Sequence, residues 1–227
     1  MDKIEDFIDA RDERCYTVFI LPSVLADLTL AMYNHRGKRI AASFGAAVAA
    51  AMFLVKFRGL PLESLDIEAD GKTIKIDFSH DFERVSITLP KCKQLLEKTR
   101  IFVGNIDKKI KKISCEHMPE NAAVTECDDV DMFSDHNLAD MLIGDADADF
   151  SVVFSCGSEE AKTKCFSPIP IPDLWLGSAL ASFTATGKRT EQIFSFNGEK
   201  LTLTPVYNGI RATLTCPKIM TFNTPYL

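Results

Sequence analysis

With 227 residues, the chain is long enough for one or two domains and a sizeable core. Hydrophobic residues make up 46% and charged residues 26%, a balance that excludes a disordered or fibrous protein. A net charge of −6 with scattered basic residues argues against nucleic acid, and no apolar run approaches the about 20 residues that span a membrane. The acidic opening, Met1-Asp2-Lys3-Ile4-Glu5-Asp6, lacks the apolar stretch of an export signal. Seven cysteines at irregular spacing, with no Cys-x-x-Cys, read as reduced thiols in a cytoplasmic protein.

In residues 2–14, Ile4, Phe7 and Ile8 have the spacing of a surface helix. Residues 15–21 (CYTVFIL) are rich in β-formers and read as a buried strand closed by Pro22. A second strand over 25–33 ends in a turn at Asn34 to Gly37, and a short strand leads on. Residues 46–55 (AAVAAAMFLV) carry no polar side chain and predict a helix running through the core, with Ser43 as its N-cap. Its amino end offers N–H donors and a positive dipole end, which suits an anion. Hairpins follow, one with the Asp-Gly signal at Asp70-Gly71.

Residues 90–100 read as a charged connector between two halves. The basic run at 108–113 reads as a solvated face with Ile110 and Ile113 turned inward. Neither Cys115-Glu116-His117 nor the aspartates at 145, 147 and 149 complete a metal-binding pattern, so no metal is expected. A short helix is expected over 136–143, a strand over 150–154 and a polar turn over 157–164. The alternate prolines at 168, 170 and 172 predict an extended connector. It enters a second apolar helix over 174–186, with Asp173 as candidate N-cap and Gly187 as terminator. Three strands joined at Asn197-Gly198 and Asn208-Gly209 follow. The tail, 218–227, is expected to form one more strand returning to the first half.

This series resembles the diaminopimelate epimerases from about Ile4 onward. The likeness is carried by the strand, Asn34 turn and buried helix of residues 26–55, and by the hairpins over 65–90. Further support comes from Val103-Gly104-Asn105-Ile106-Asp107, Met118-Pro119-Glu120 with Ala123-Val124, the helix at 174–187 and the strand pair near Phe196. The resemblance implies an α+β fold of two pseudo-symmetric lobes, each a central helix wrapped by mixed or antiparallel strands. Residues 1–100 plus 216–227 would form the first lobe and 101–215 the second. Both helix starts would face a shared cleft, and no cofactor is implied.

That family uses two cysteines, one at each helix start, as thiolate base and thiol acid. Here Ser43 stands at the first position and Pro172 near the second. Asp107 and Ala123 replace a His and an Asn, and the family's opening Gly-Asn-Asp-Phe strand has no counterpart. The expectation is therefore a scaffold without its acid–base pair. Asn34, Ser43, Phe44, Gly45 and Asn105 would bind a small anionic or amino-acid-like ligand, or the chain would serve a protein partner. The alternative is a cofactor-independent racemase or isomerase using Ser43, Asp107 and Asp173. In a third reading Phe44, Trp175 and Phe183 fill the cleft and the protein is structural. An unpaired sheet edge near residues 15–21 would be an association hazard, which adds an expectation of a homodimer.

Overall fold

A computed structural model describes residues 16–34, 36–103, 106–114, 121–143, 148–157, 160–169, 171, 173–196 and 199–215. The first half contains β1 (Thr17–Leu21), β2 (Leu28–Tyr33), β3 (Arg39–Ile40), α1 (Phe44–Arg58), β4 (Ser64–Ala69), β5 (Lys72–Phe78) and β6 (Arg84–Leu89). Next come β7 (Lys93–Val103), β8 (Ile106–Ser114), β9 (Asn121–Glu126), a 3-10 turn (Val130–Met132), α2 (Asp135–Ile143), β10 (Phe150–Cys156) and β11 (Glu160–Phe166). The chain continues through α3 (Leu174–Thr186), β12 (Gln192–Phe196), β13 (Glu199–Val206) and β14 (Gly209–Thr215). The strands form one sheet in the order β1-β2-β4-β5-β6-β14-β13-β12-β11-β10-β9-β8-β7, with β3 paired to β2.

Hairpin connections make most neighbours antiparallel. The pairs β2–β4, β9–β10 and β11–β12 are parallel, because a helix or a long connection separates them. The two halves join at β6–β14, where Ile210 faces Leu89 and Thr215 faces Arg84. Gly209 opens β14, and a Cβ there would collide with the carbonyl oxygen of Leu89. That junction needs the missing side chain for close approach of two backbones.

Helices α1 and α3 lie against the same core. Ala47 and Ala51 of α1 and Leu176 and Leu180 of α3 share one buried cluster with Leu30, Ile67, Ile76 and Ile87 from the first half and Phe150 and Phe154 from the second. Near-uniform apolarity, not an amphipathic stripe, therefore marks both helices. Strand alternation then builds a second core on the other face of the sheet. Ile113, Val124 and Val152 face the first cluster. Ile110, Ala123 and Val153 face the second, where Leu138 and Met141 of α2 pack. Both isoleucines of the basic run are buried, Ile110 at 1% exposure and Ile113 at 0%, as expected.

Three expectations are corrected. The connector over 90–100 is largely β7, an edge strand that pairs only with β8 among the described residues and so tolerates a polar sequence. The polar turn over 157–164 is mostly β11, held by β10 on one side and β12 on the other; its Ala161 alone is fully buried, so the alternation was too weak to read. Cys92 is disulfide-bonded, against the expectation of thiols throughout, while Cys127, Cys156 and Cys165 are free. The helix over 2–14, Cys115-Glu116-His117, Asp145, Asp147, the Asn197-Gly198 turn and the tail strand lie outside the described residues.

Candidate functional site

The amino end of α1 is fixed from both sides. Upstream, the backbone N–H of Ala42 donates to Asp70 Oδ2 at 2.6 Å, so the turn between β4 and β5 grips the approach to the helix. At the helix start, Ser43 is extended (φ −84°, ψ 162°) and its hydroxyl accepts the N–H of Ala46 at 3.1 Å. This is the N-cap read from the sequence. The first turn of α1 carries no acidic residue to balance its positive dipole end.

Asp173 supplies that charge from the far half of the chain. It occupies the N-cap position of α3, and its carbonyl accepts the N–H of Gly177 at 2.9 Å. Its side chain, however, makes no capping bond to α3. The residue is left-handed (φ 59°, ψ 23°), a conformation that costs a non-glycine residue about 1 kcal/mol. Oδ1 accepts the N–H of Gly45 at 2.9 Å. The Phe44 N–H and the Ser43 hydroxyl also bond to this carboxyl, so Ser43 accepts from its own helix while donating to Asp173. A Cβ on Gly45 would strike Asp173 Oδ1, so glycine there is what admits the carboxylate.

Burial is the largest influence on Asp173 and raises its pKa. The bonds from Gly45, Phe44 and Ser43 pull the other way without overcoming it. The offset comes from neutral donors alone. The result is a half-buried carboxyl, more easily protonated than an ordinary aspartate, seated between two helix starts. Phe44, Leu174 and Trp175 flank it and pack partly buried against the core. Phe183 lies further along α3, where its ring meets Phe194 edge-on with centroids 6.4 Å apart.

The residues singled out from sequence divide accordingly. Ser43, Phe44, Gly45 and Asp173 come together. Asn34 closes the β2–β3 turn: its Oδ1 accepts the N–H groups of Arg36 and Lys38, both at 3.0 Å. Asp107 sits near the start of β8, opposite Phe102 of the edge strand. Asn105 and Pro172 fall outside the described residues. Sequence reading missed the grip of Asp70 on Ala42 and the direction of the Asp173 side chain. An Asp at an N-cap position signals a cap for its own helix, and nothing local reports that it reaches another. Among the described residues no group of three or more His, Cys, Asp or Glu is placed to hold a metal ion. Among the described residues no helix is long and apolar enough to cross a membrane either.

No family model and no curated protein matches the chain. Solved structures do. A protein named for PhzC/PhzF phenazine biosynthesis from Clostridium difficile superposes with a TM-score of 0.71 at 11% identity, over 100% of this chain and 88% of that one. A PhzF-family phenazine biosynthesis protein from Enterococcus faecalis gives 0.65 at 15% identity, over 94% and 84%. A hydroxyproline epimerase from Agrobacterium vitis, with bound trans-4-hydroxy-L-proline, gives 0.57 at 13% identity, over 88% and 72%. At such identities the likeness establishes the fold. It is the α+β, diaminopimelate epimerase-like architecture expected from the sequence.

Proposed function

We propose that the chain is a non-catalytic protein of this fold, in which Asp173 occupies the anion seat at the start of α1. Its role is binding: a small carboxylate or amino-acid-like ligand, or a protein partner presenting a carboxylate, displaces Asp173 from Gly45. The bond from the Gly45 N–H to Asp173 Oδ1 carries this reading, because it engages the donor that an external anion would use. The chemistry of the residues agrees. A serine hydroxyl is a poor base for a carbon acid unless a partner takes its proton, and the partner at hand, Asp173, is a carboxylate: burial makes it more basic than usual, yet carboxylates stay far less basic than an alkoxide. Burial restrains the bound carboxylate as well, since removing it from water costs part of what its hydrogen bonds return. The two-lobed division expected from the sequence remains part of this proposal, with the seat lying between the lobes.

One observation favours a second reading, a racemase or isomerase with Asp173 as its proton carrier. A carboxyl whose pKa is raised by burial, beside a helix start, is a recognised setting for acid–base work. The test is incubation in heavy water with a panel of amino acids that includes proline and trans-4-hydroxyproline, followed by proton NMR of the α-position. The proposal expects saturable calorimetric binding of at least one ligand with no loss of the α-proton signal. Exchange that vanishes in Asp173→Asn would establish the second reading and overturn the first.

A further inference from the structure

The donors at the start of α1 are set for one carboxyl group. Asp173 Oδ1 takes the Gly45 N–H at 2.9 Å, and the Phe44 N–H and the Ser43 hydroxyl complete the set. Among the described residues every group that bears on Asp173 is neutral. The titratable side chains tied to the surrounding elements add no positive charge. Asp70, in the β4–β5 turn, bonds the Ala42 N–H. Cys165 of β11 meets Ser178 just past the first turn of α3, and burial raises its thiol pKa, which keeps it neutral.

Room at the seat is limited as well. A Cβ on Gly45 would strike Asp173 Oδ1, so the carboxyl lies directly against the helix start. Nor can Asp173 move far when it yields its place. Its carbonyl accepts the Gly177 N–H, which anchors the backbone to α3, and one carbon separates that backbone from the carboxyl. A ligand carboxylate on the Gly45 N–H therefore stands beside the Asp173 carboxyl. Two anions side by side in a buried site without a cation repel strongly, and carboxyls that share a site hold one proton between them.

We propose that this seat takes a carboxylate ligand together with one proton, which Asp173 holds and donates in a hydrogen bond to the ligand. The inference rests on the binding reading above and adds what gates it. The proton comes from solvent and protonates the Asp173 carboxylate; only that O–H bond forms, and it is broken again when the ligand leaves. Burial already biases Asp173 toward holding its proton, in the same sense. The seat is thus acid-gated: it fills with a given ligand as pH falls and empties as pH rises.

The test is calorimetric titration of the full chain with L-alanine, L-proline and L-phenylalanine, whose carboxyls stay ionised from about pH 5 to about pH 8. For the tightest binder, affinity is expected to be level while free Asp173 is protonated and to fall about tenfold per pH unit once it ionises. In the falling range, buffers of different ionisation enthalpy should report uptake of about one proton per ligand. Asp173→Asn donates from its amide without needing a proton. Its affinity should be level across the whole range, with no proton uptake, and at the alkaline end it should bind about tenfold or more tighter than the unaltered chain. Binding by the unaltered chain without proton uptake at any pH, or an equal decline in Asp173→Asn, would overturn the inference and leave the binding reading standing. Failure of both proteins to bind any of the three at any pH would overturn the two together.

Discussion

Asp173 opens α3 but caps α1: its Oδ1 accepts the Gly45 N–H at 2.9 Å across 128 positions of sequence. The two most apolar helices of the chain are therefore tied at their amino ends by one carboxyl. The Ser43 hydroxyl shares in the tie, bonding Ala46 and Asp173 at once.

That shared hydroxyl makes Ser43 and Asp173 energetically dependent. Ser43→Ala should cost about 1 kcal/mol through loss of the N-cap. Asp173→Asn should cost a similar amount, and the double variant should fall short of the sum by about 1 kcal/mol. Urea unfolding of the four proteins measures the coupling. Additivity would mean that the hydroxyl does not reach the carboxyl.

Burial raises the Asp173 pKa, so the folded chain holds that proton more tightly than the unfolded chain does. The resulting stability is fully present below the ordinary carboxyl value of 3.8 and is lost as pH rises through the higher folded value. As pH rises above the ordinary carboxyl value of 3.8, the stability of the unaltered chain relative to Asp173→Asn should therefore decline. Paired denaturant titrations at each pH read this difference while other groups cancel. A difference that grows with pH would reverse the sign.

Gly45→Ala brings two effects into conflict. Alanine favours a helix over glycine by about 1 kcal/mol, yet its Cβ would strike the Asp173 carboxylate. The collision should prevail, with a net loss of about 1–3 kcal/mol. In an Asp173→Ala background the obstacle is gone, and the same substitution should become neutral or stabilising. Thermal melts of both pairs check the inversion.

At the junction of the halves, Gly209→Ala would push a Cβ against the Leu89 carbonyl oxygen, a backbone atom with little room to yield. A loss of about 2 kcal/mol is expected. Amide exchange should rise in both β6 and β14, because the defect sits in their shared ladder. A change confined to β14 would contradict the close approach.

Much of the architecture was legible because it rests on local signals. Ser43 caps α1 in space as it was read from the sequence, and the helix ends at Gly59 in the left-handed conformation usual for that position. The Asp70-Gly71 turn has positive φ at both residues, as a tight hairpin requires. Strands β7 and β11 were hidden because their partners, not their own alternation, hold them. The site was half legible. Its residues could be named from the start of each helix, but Asp173 looked like a cap for its own helix. The left-handed backbone that turns its carboxyl toward α1 is a tertiary choice with no sequence mark.

The most direct measurement is the pH titration of the Gly45 amide resonance by two-dimensional NMR. If Asp173 sits on that amide, the Gly45 proton moves in one step at a pH above the ordinary carboxyl value, and Asp173→Asn abolishes the step while leaving the fold's other resonances in place. A Gly45 amide that ignores both the acid titration and the substitution would contradict the claim that the chain's own carboxyl fills this seat.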